Sequence, residues 1–194
     1  NWSRYMFRAR PLDCPVLATM DTMTPVLTQF PLSRWPLLMA GGSLLLLFGA
    51  WGFQYIGHYD PCALCYDQRH IHMAVIALGL AFGGLMIARP GLARFAPFMI
   101  FAVAAVLLFS AGFSAWHAGI EYKWWAGPET CTAAGGGSVS VSDVLAALDG
   151  QRPVVLCDEA AWTLLGISMA GYNALISAAM AGLSIAVGIR GLKS

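Results

Sequence analysis

Apolar residues crowd positions 35–190 so heavily that the polar ones act as punctuation, leaving four long runs: 35–56, 71–88, 95–116 and 162–189. Each is close to the about 17–25 residues that an α-helix needs to cross a bilayer. The pattern predicts an all-α membrane protein built as a four-helix bundle. The first run is too long for the apolar core of a signal peptide, and no small-residue cleavage site follows it, so it reads as a retained helix. Gly41, Gly42, Gly49 and Gly52 within it are expected to permit close helix approach. Gln54 near its end reads as interfacial. In the fourth run, Ser168, Tyr172 and Asn173 predict hydrogen bonds between helices.

Between these runs the pattern changes. Residues 1–34 carry Pro11, Pro15 and Pro25 with scattered arginines, which predicts a poorly ordered tail; Met23 is a candidate natural start. Residues 89–94 form a tight turn. The one long polar stretch, about 118–161, holds the run 133–137 of alanine and glycine. It also holds a short amphipathic helix expected over 142–150. Residues 35–190 are thus the membrane domain, flanked by the tail and a short terminus, 191–194.

Composition agrees with a lipid solvent: 58% of residues are hydrophobic and only 11% charged, where a soluble domain carries about 25%. A net charge of +1 gives no reason to expect nucleic acid. Charge placement adds orientation. Arg4, Arg8, Arg10, Arg34, Arg89, Arg94, Arg190 and Lys193 fall on one side, while eight of the ten acidic residues fall on the other. The basic side is expected to be cytoplasmic, with both termini there. Cys62, Cys65, Cys131 and Cys157 then face outward, and only Cys14 stays in the reducing compartment, as an expected spare thiol.

The outward cysteines carry the candidate chemistry. Asp60 is expected to cap a helix starting at Pro61, placing Cys62 and Cys65 on one helical face with Cα atoms about 5 Å apart. The positive end of that helix favours a thiolate, and Arg69 continues the same face. Cys131 and Cys157 admit more than one reading. As a staple they would close a glycine-rich loop, worth about 3.5 kcal/mol. As an exposed pair on a mobile loop beside a CxxC, they suit disulfide exchange. A zinc site from all four cysteines is disfavoured on an oxidising side, so no metal is expected. Tyr66 after Cys65 departs from c-type haem attachment. His58, His70, His72 and His117 read as interfacial histidines without a ligand role.

Pro61-Cys62-x-x-Cys65-x-x-Gln68-Arg69 after a first helix, a second cysteine pair between helices 3 and 4, and Trp162-x-x-Leu165-Gly166-x-Ser168 together resemble the disulfide bond formation protein B (DsbB) family over about residues 35–190. The resemblance implies a bacterial inner-membrane thiol:quinone oxidoreductase with its cysteines periplasmic. Its implied partner is a periplasmic thioredoxin-fold dithiol oxidase of the DsbA type, and its cofactor a membrane quinone, ubiquinone or menaquinone. Cys131 would form the mixed disulfide with the partner, and Cys157 would resolve it. Cys62–Cys65 would reoxidise the loop pair, and Cys65 and Arg69 would meet the quinone, with His117 and Glu121 at its border. The glycine-rich loop and extended N-terminus depart from the family pattern. Two rivals are a vitamin K epoxide reductase-like protein, whose CxxC usually ends a late helix, and a non-enzymatic haem or structural protein with a stapling disulfide.

Overall fold

The computed structural model describes residues 30–128, 131, 145 and 155–193. Its main compact unit is Leu32–Ser194. Four long helices form it: α1 (Trp35–Tyr55), α2 (Ala63–Ala88), α3 (Ala96–Glu121) and α4 (Met169–Lys193). All four are long and apolar enough to cross a membrane. At 1.5 Å per residue the shortest spans about 30 Å, the thickness of a hydrocarbon core. Cys14 and Met23 lie outside the described residues, as does the helix expected over 142–150 except for Leu145, which is helical and exposed.

Local chemistry sets the helix starts and stops. Prolines occupy the first turns of α1 (Pro36) and α3 (Pro97), where a missing N–H costs nothing. A 3-10 turn over Pro90–Phe95 joins α2 to α3. The third helix runs five residues beyond the apolar run 95–116, ending at Glu121. Lys123, at φ 60°, then closes it: Trp124 N–H bonds the Gly119 carbonyl at 2.9 Å and Lys123 N–H the Ile120 carbonyl at 3.0 Å. This is a Schellman stop. The extension matters because it makes His117 and Glu121 helical neighbours, one turn apart.

The fourth helix begins later than the run 162–189 implies. Thr163–Leu164 (β1) and Ile167–Ser168 (β2) pair antiparallel, Thr163 opposite Ser168 and Leu164 opposite Ile167. The two residues between them, Leu165 and Gly166, both have positive φ, 50° and 78°. That is the geometry of a tight primed hairpin turn. Tyr122 at the end of α3 holds the hairpin, its hydroxyl donating to the Gly166 carbonyl at 3.0 Å and accepting from Ser168 N–H at 2.8 Å. Ser168 Oγ then accepts from Gly171 N–H at 3.1 Å, capping α4.

Packing inverts the soluble pattern. Leu45, Phe48, Leu80, Phe98, Phe109 and Leu175 are exposed around the bundle, while Ser43, His72, Ser110, Ser114, Ser177 and Ser184 are buried inside it. Such a surface is at ease in lipid and a liability in water. The tightest approach is between α1 and α2, at Gly79: a Cβ there would sit 2.5 Å from the Pro36 carbonyl and 2.8 Å from Ala40 Cβ. Gly83 likewise lies under Leu37. The glycines of α1 do less than expected. A Cβ at Gly41, Gly49 or Gly52 would meet nothing within 4 Å, and only Gly42 packs closely, on Met180.

Candidate functional site

Asp60 does not cap α2. Cys62 does, with extended backbone (ψ 172°) and a sulfur that accepts from Cys65 N–H at 3.3 Å. Because Cys62 stands outside the helix, its thiol folds back over the first turn and donates to Cys65 Sγ at 2.8 Å. Both are free cysteines, Cys62 buried and Cys65 partly exposed. The hydrogen bond given to Cys65, followed by burial, pushes the Cys62 thiol well above the usual cysteine range. Of the two sulfurs, Cys65 is therefore the one placed to carry charge.

Cys131 and Cys157 form a disulfide, with Cα atoms 5.4 Å apart and Cys157 N–H bonded to the Cys131 carbonyl at 2.7 Å. The pair is not simply exposed on a loop. Cys157 is 1% exposed and packs in one apolar cluster with Cys62, Leu64 and Ile120, and Cys65 and Cys131 border the same cluster. A salt bridge from Lys123 Nζ to Asp158 at 2.8 Å ties the adjoining residue to the end of α3. The two cysteine pairs thus share one buried contact surface. Bonded to each other, Cys131 and Cys157 offer no thiolates to a four-cysteine zinc site.

The inner pair also borders a cavity of about 390 Å³, lined by Cys62, Cys65, Arg69, Glu121, Gln68, His72 and Asn173 along with apolar residues that include Phe53 and Trp162. Gln54 is more than an interfacial anchor: Arg69 Nη1 donates to its Oε1 at 2.5 Å, and Nη2 to the Ala50 carbonyl at 3.3 Å. Tyr66 lies under the guanidinium, 5.3 Å from ring centroid to Cζ. These contacts hold the cation at the cavity wall. Glu121 contributes a second feature. Its Oε2 is buried with no partner among the described residues.

His117 does not line the cavity. It is fully buried behind Cys62, not interfacial, with Nε2 3.6 Å from Cys62 Sγ and 3.9 Å from Glu121 Oε1. Its Nδ1 meets Gln68 Nε2 at 2.6 Å. Gln68 Oε1 accepts from Asn173 Nδ2 at 2.8 Å, and Asn173 also donates to Ser114. Asn173 Oδ1 in turn lies 2.8 Å from His72 Nε2, and His72 Nδ1 lies 3.2 Å from Ser43 Oγ. His72 is therefore a buried bridge between helices, not an interfacial residue. Asn173 makes the hydrogen bonds between helices that its sequence position suggests. Gln68 and the serines carry no signal of their own role, because only helix register decides which polar residues face inward.

Cys62, Cys65 and His117 bring three metal-type donor atoms within 4.8 Å. Gln68 Nε2 can only donate, so His117 Nδ1 accepts and the ring proton of the neutral imidazole sits on Nε2. That nitrogen has no lone pair for a metal in this arrangement. A quinone fits better: the cavity is largely apolar, and Arg69 and Cys65 bring a cation and a sulfur to its lining.

No curated protein and no solved structure matches the chain in comparison. The family model described as disulfide bond formation protein DsbB matches residues 32–187. With three helices, most of the fourth and both cysteine pairs inside that match, the chain belongs to the DsbB family, membrane oxidoreductases that generate disulfides.

Proposed function

We propose that this protein is a thiol:quinone oxidoreductase of the bacterial inner membrane that reoxidises a periplasmic thioredoxin-fold dithiol oxidase of the DsbA type. Both termini are cytoplasmic and the four described cysteines periplasmic in this reading, as the distribution of basic residues favours. The observation that carries it is the packing of the Cys131–Cys157 disulfide against Cys62, with Cys65 opening onto the cavity beyond. A staple alone has no need of that contact.

Exchange proceeds by attack of thiolate on disulfide. A partner thiolate attacks Cys131 and breaks its bond to Cys157. Cys157, freed as a thiolate, attacks Cys62 of the oxidised inner pair, and Cys65 leaves with the electron pair. The partner's second thiolate releases the oxidised partner and returns Cys131 as a thiolate. Cys131 then attacks Cys157, re-forming the loop disulfide and expelling Cys62. Two electrons now rest on the inner dithiol.

A quinone, when bound, supplies the two-electron, two-proton acceptor that lets Cys62 and Cys65 close again. Arg69 and Cys65 would hold its head group at the cavity wall. Arg69 stabilises negative charge there, in a low-dielectric setting where a fixed cation acts most strongly. Glu121, which also lines the cavity, would hold and give up a proton there. Anaerobic mixing of the purified protein with a reduced thioredoxin-fold partner and a short-chain ubiquinone or menaquinone analogue tests the reading. Wild type is expected to reduce the quinone, and Cys62→Ser or Cys65→Ser to abolish it. Undiminished turnover in either variant would sink the mechanism.

A further inference from the structure

The exchange sequence leaves one difficulty at Cys62. It must leave as a thiolate when Cys131 re-forms the loop disulfide, although it is 5% exposed. Burial without a hydrogen-bond donor disfavours a charged sulfur strongly. The Cys65 N–H at 3.3 Å is one donor to it, and a long one. The structure supplies a second from a different helix.

His117 Nε2 lies 3.6 Å from Cys62 Sγ, within reach of a sulfur hydrogen bond. One contact places the proton on that nitrogen. Gln68 Nε2, a donor only, occupies Nδ1 at 2.6 Å, and Gln68 is oriented by Asn173 Nδ2 at its Oε1. An amide chain from α4 through α2 thus sets the imidazole of α3 with its N–H at Nε2, the nitrogen that approaches the Cys62 sulfur.

We propose that His117 is a hydrogen-bond donor to Cys62, held in its Nε2–H form by the Gln68–Asn173 chain, which stabilises Cys62 as the thiolate that loop-pair exchange expels. This rests on the exchange order given above. In the step concerned, the Cys131 thiolate forms a bond to Cys157 sulfur and the Cys157–Cys62 bond breaks. Cys62 takes the electron pair and receives the His117 N–H as a hydrogen bond. No external oxidant enters, and the thiolate later takes its proton from water. His117 therefore acts on the cysteine and not on the quinone.

The charged and titratable groups around Cys62 come from three elements. Cys65 and, farther off, Arg69 and Tyr66 come from α2, His117 and Glu121 from α3, and Asp60 stands two residues before it. The loop packed against it adds Cys131 and Cys157, thiols once reduced, with Asp158, paired to Lys123, and Glu159 beside them. Neither α1 nor α4 carries an acidic residue. Apart from His117, all of these are the same in the variants compared, so the shift between variants reports the donor.

The test is the pH dependence of iodoacetamide alkylation at Cys62, read by peptide mapping in the fully reduced Cys65→Ser protein. The method uses neither quinone nor partner. Adding His117→Ala is expected to raise the midpoint by about one to two pH units, the loss of one hydrogen bond to a charged group. His117→Gln, which keeps an N–H, is expected to restore most of it. Gln68→Met keeps the imidazole but frees its tautomer, giving an intermediate rise that tests the proposal without removing His117. The sign separates this from simple loosening, because admitting water to a buried thiol lowers its midpoint. An unchanged or lowered midpoint in His117→Ala, or in Gln68→Met should the former not fold, overturns the proposal. If the midpoint rises as expected while wild type reduces no quinone, the quinone reading falls and the assignment of His117 stands.

Discussion

At the residue scale, the site divides labour between two similar sulfurs through one backbone difference. Cys62 caps the helix and Cys65 lies within its first turn, so the first donates to the second at 2.8 Å and the second faces the cavity. Arg69 is fixed beside Cys65 by Gln54 and the Ala50 carbonyl, which leaves its charge in place whether or not a ligand is present. Arg69→Ala is therefore expected to raise the apparent KM for quinone about tenfold, with a smaller effect on disulfide exchange at the loop pair, as steady-state kinetics with varied quinone would measure. An unchanged KM would remove Arg69 from the quinone site. Glu121→Gln is expected to slow quinone reduction while leaving quinone affinity nearly unchanged, since the amide keeps the shape of the side chain and loses its proton chemistry. The measurement is kcat against KM across pH, and a wild-type profile in the variant would contradict it. The cysteines, Arg69 and Gln68 were readable in the sequence as a motif. The caps, the tautomer of His117 and the inward direction of Ser43, Ser110 and Ser114 were not, because they depend on rotamer and register.

At the element scale, glycine shows how far pattern alone reaches. Gly41, Gly49 and Gly52 invite a close-packing reading, yet open space surrounds each of them. The close approach lies instead at Gly79, where a backbone carbonyl of α1 would have to yield. Gly79→Val is expected to destabilise the bundle by about 1–3 kcal/mol, seen as a lowered Tm in detergent, while Gly49→Ala is close to neutral. Equal effects of the two would contradict this packing. The helices themselves were legible from apolar length, and their ends less so. Apolar continuity hides the hairpin of Thr163–Leu164 and Ile167–Ser168, since its turn at Leu165-Gly166 is set by two positive φ values and by Tyr122 reaching over from α3. Similarly, α3 continues past Trp116 because His117, Ala118 and Glu121 are buried by neighbours that lie far away in sequence.

At the scale of the whole molecule, an apolar exterior wraps a polar seam that runs from Ser43 through His72, Asn173, Gln68 and His117 to Cys62. Individual hydrogen bonds between membrane helices contribute only about 0.6 kcal/mol on average, so the seam is better explained by orientation than by stability. It reaches Cys62 through His117, and its members Gln68, His72 and Asn173 also line the cavity that Cys62 and Cys65 border, while Cys157 of the loop disulfide shares a buried cluster with Cys62. Membrane class and the pairing of two cysteine motifs could be read from the sequence. The gathering of Cys157 and Cys62 into one buried cluster could not, since it joins a loop to a helix start across a separation that no local pattern spans.

The coupling of the two pairs is the central claim, and a single anaerobic turnover without quinone tests it most directly. The oxidised protein is mixed with one equivalent of a reduced thioredoxin-fold partner, quenched in acid, alkylated and mapped under non-reducing conditions. The account predicts an oxidised partner, a loop disulfide Cys131–Cys157 and a reduced Cys62/Cys65 pair, with a Cys62–Cys157 peptide appearing transiently. A partner oxidised at the expense of Cys131–Cys157 alone, with Cys62–Cys65 still a disulfide, would contradict it.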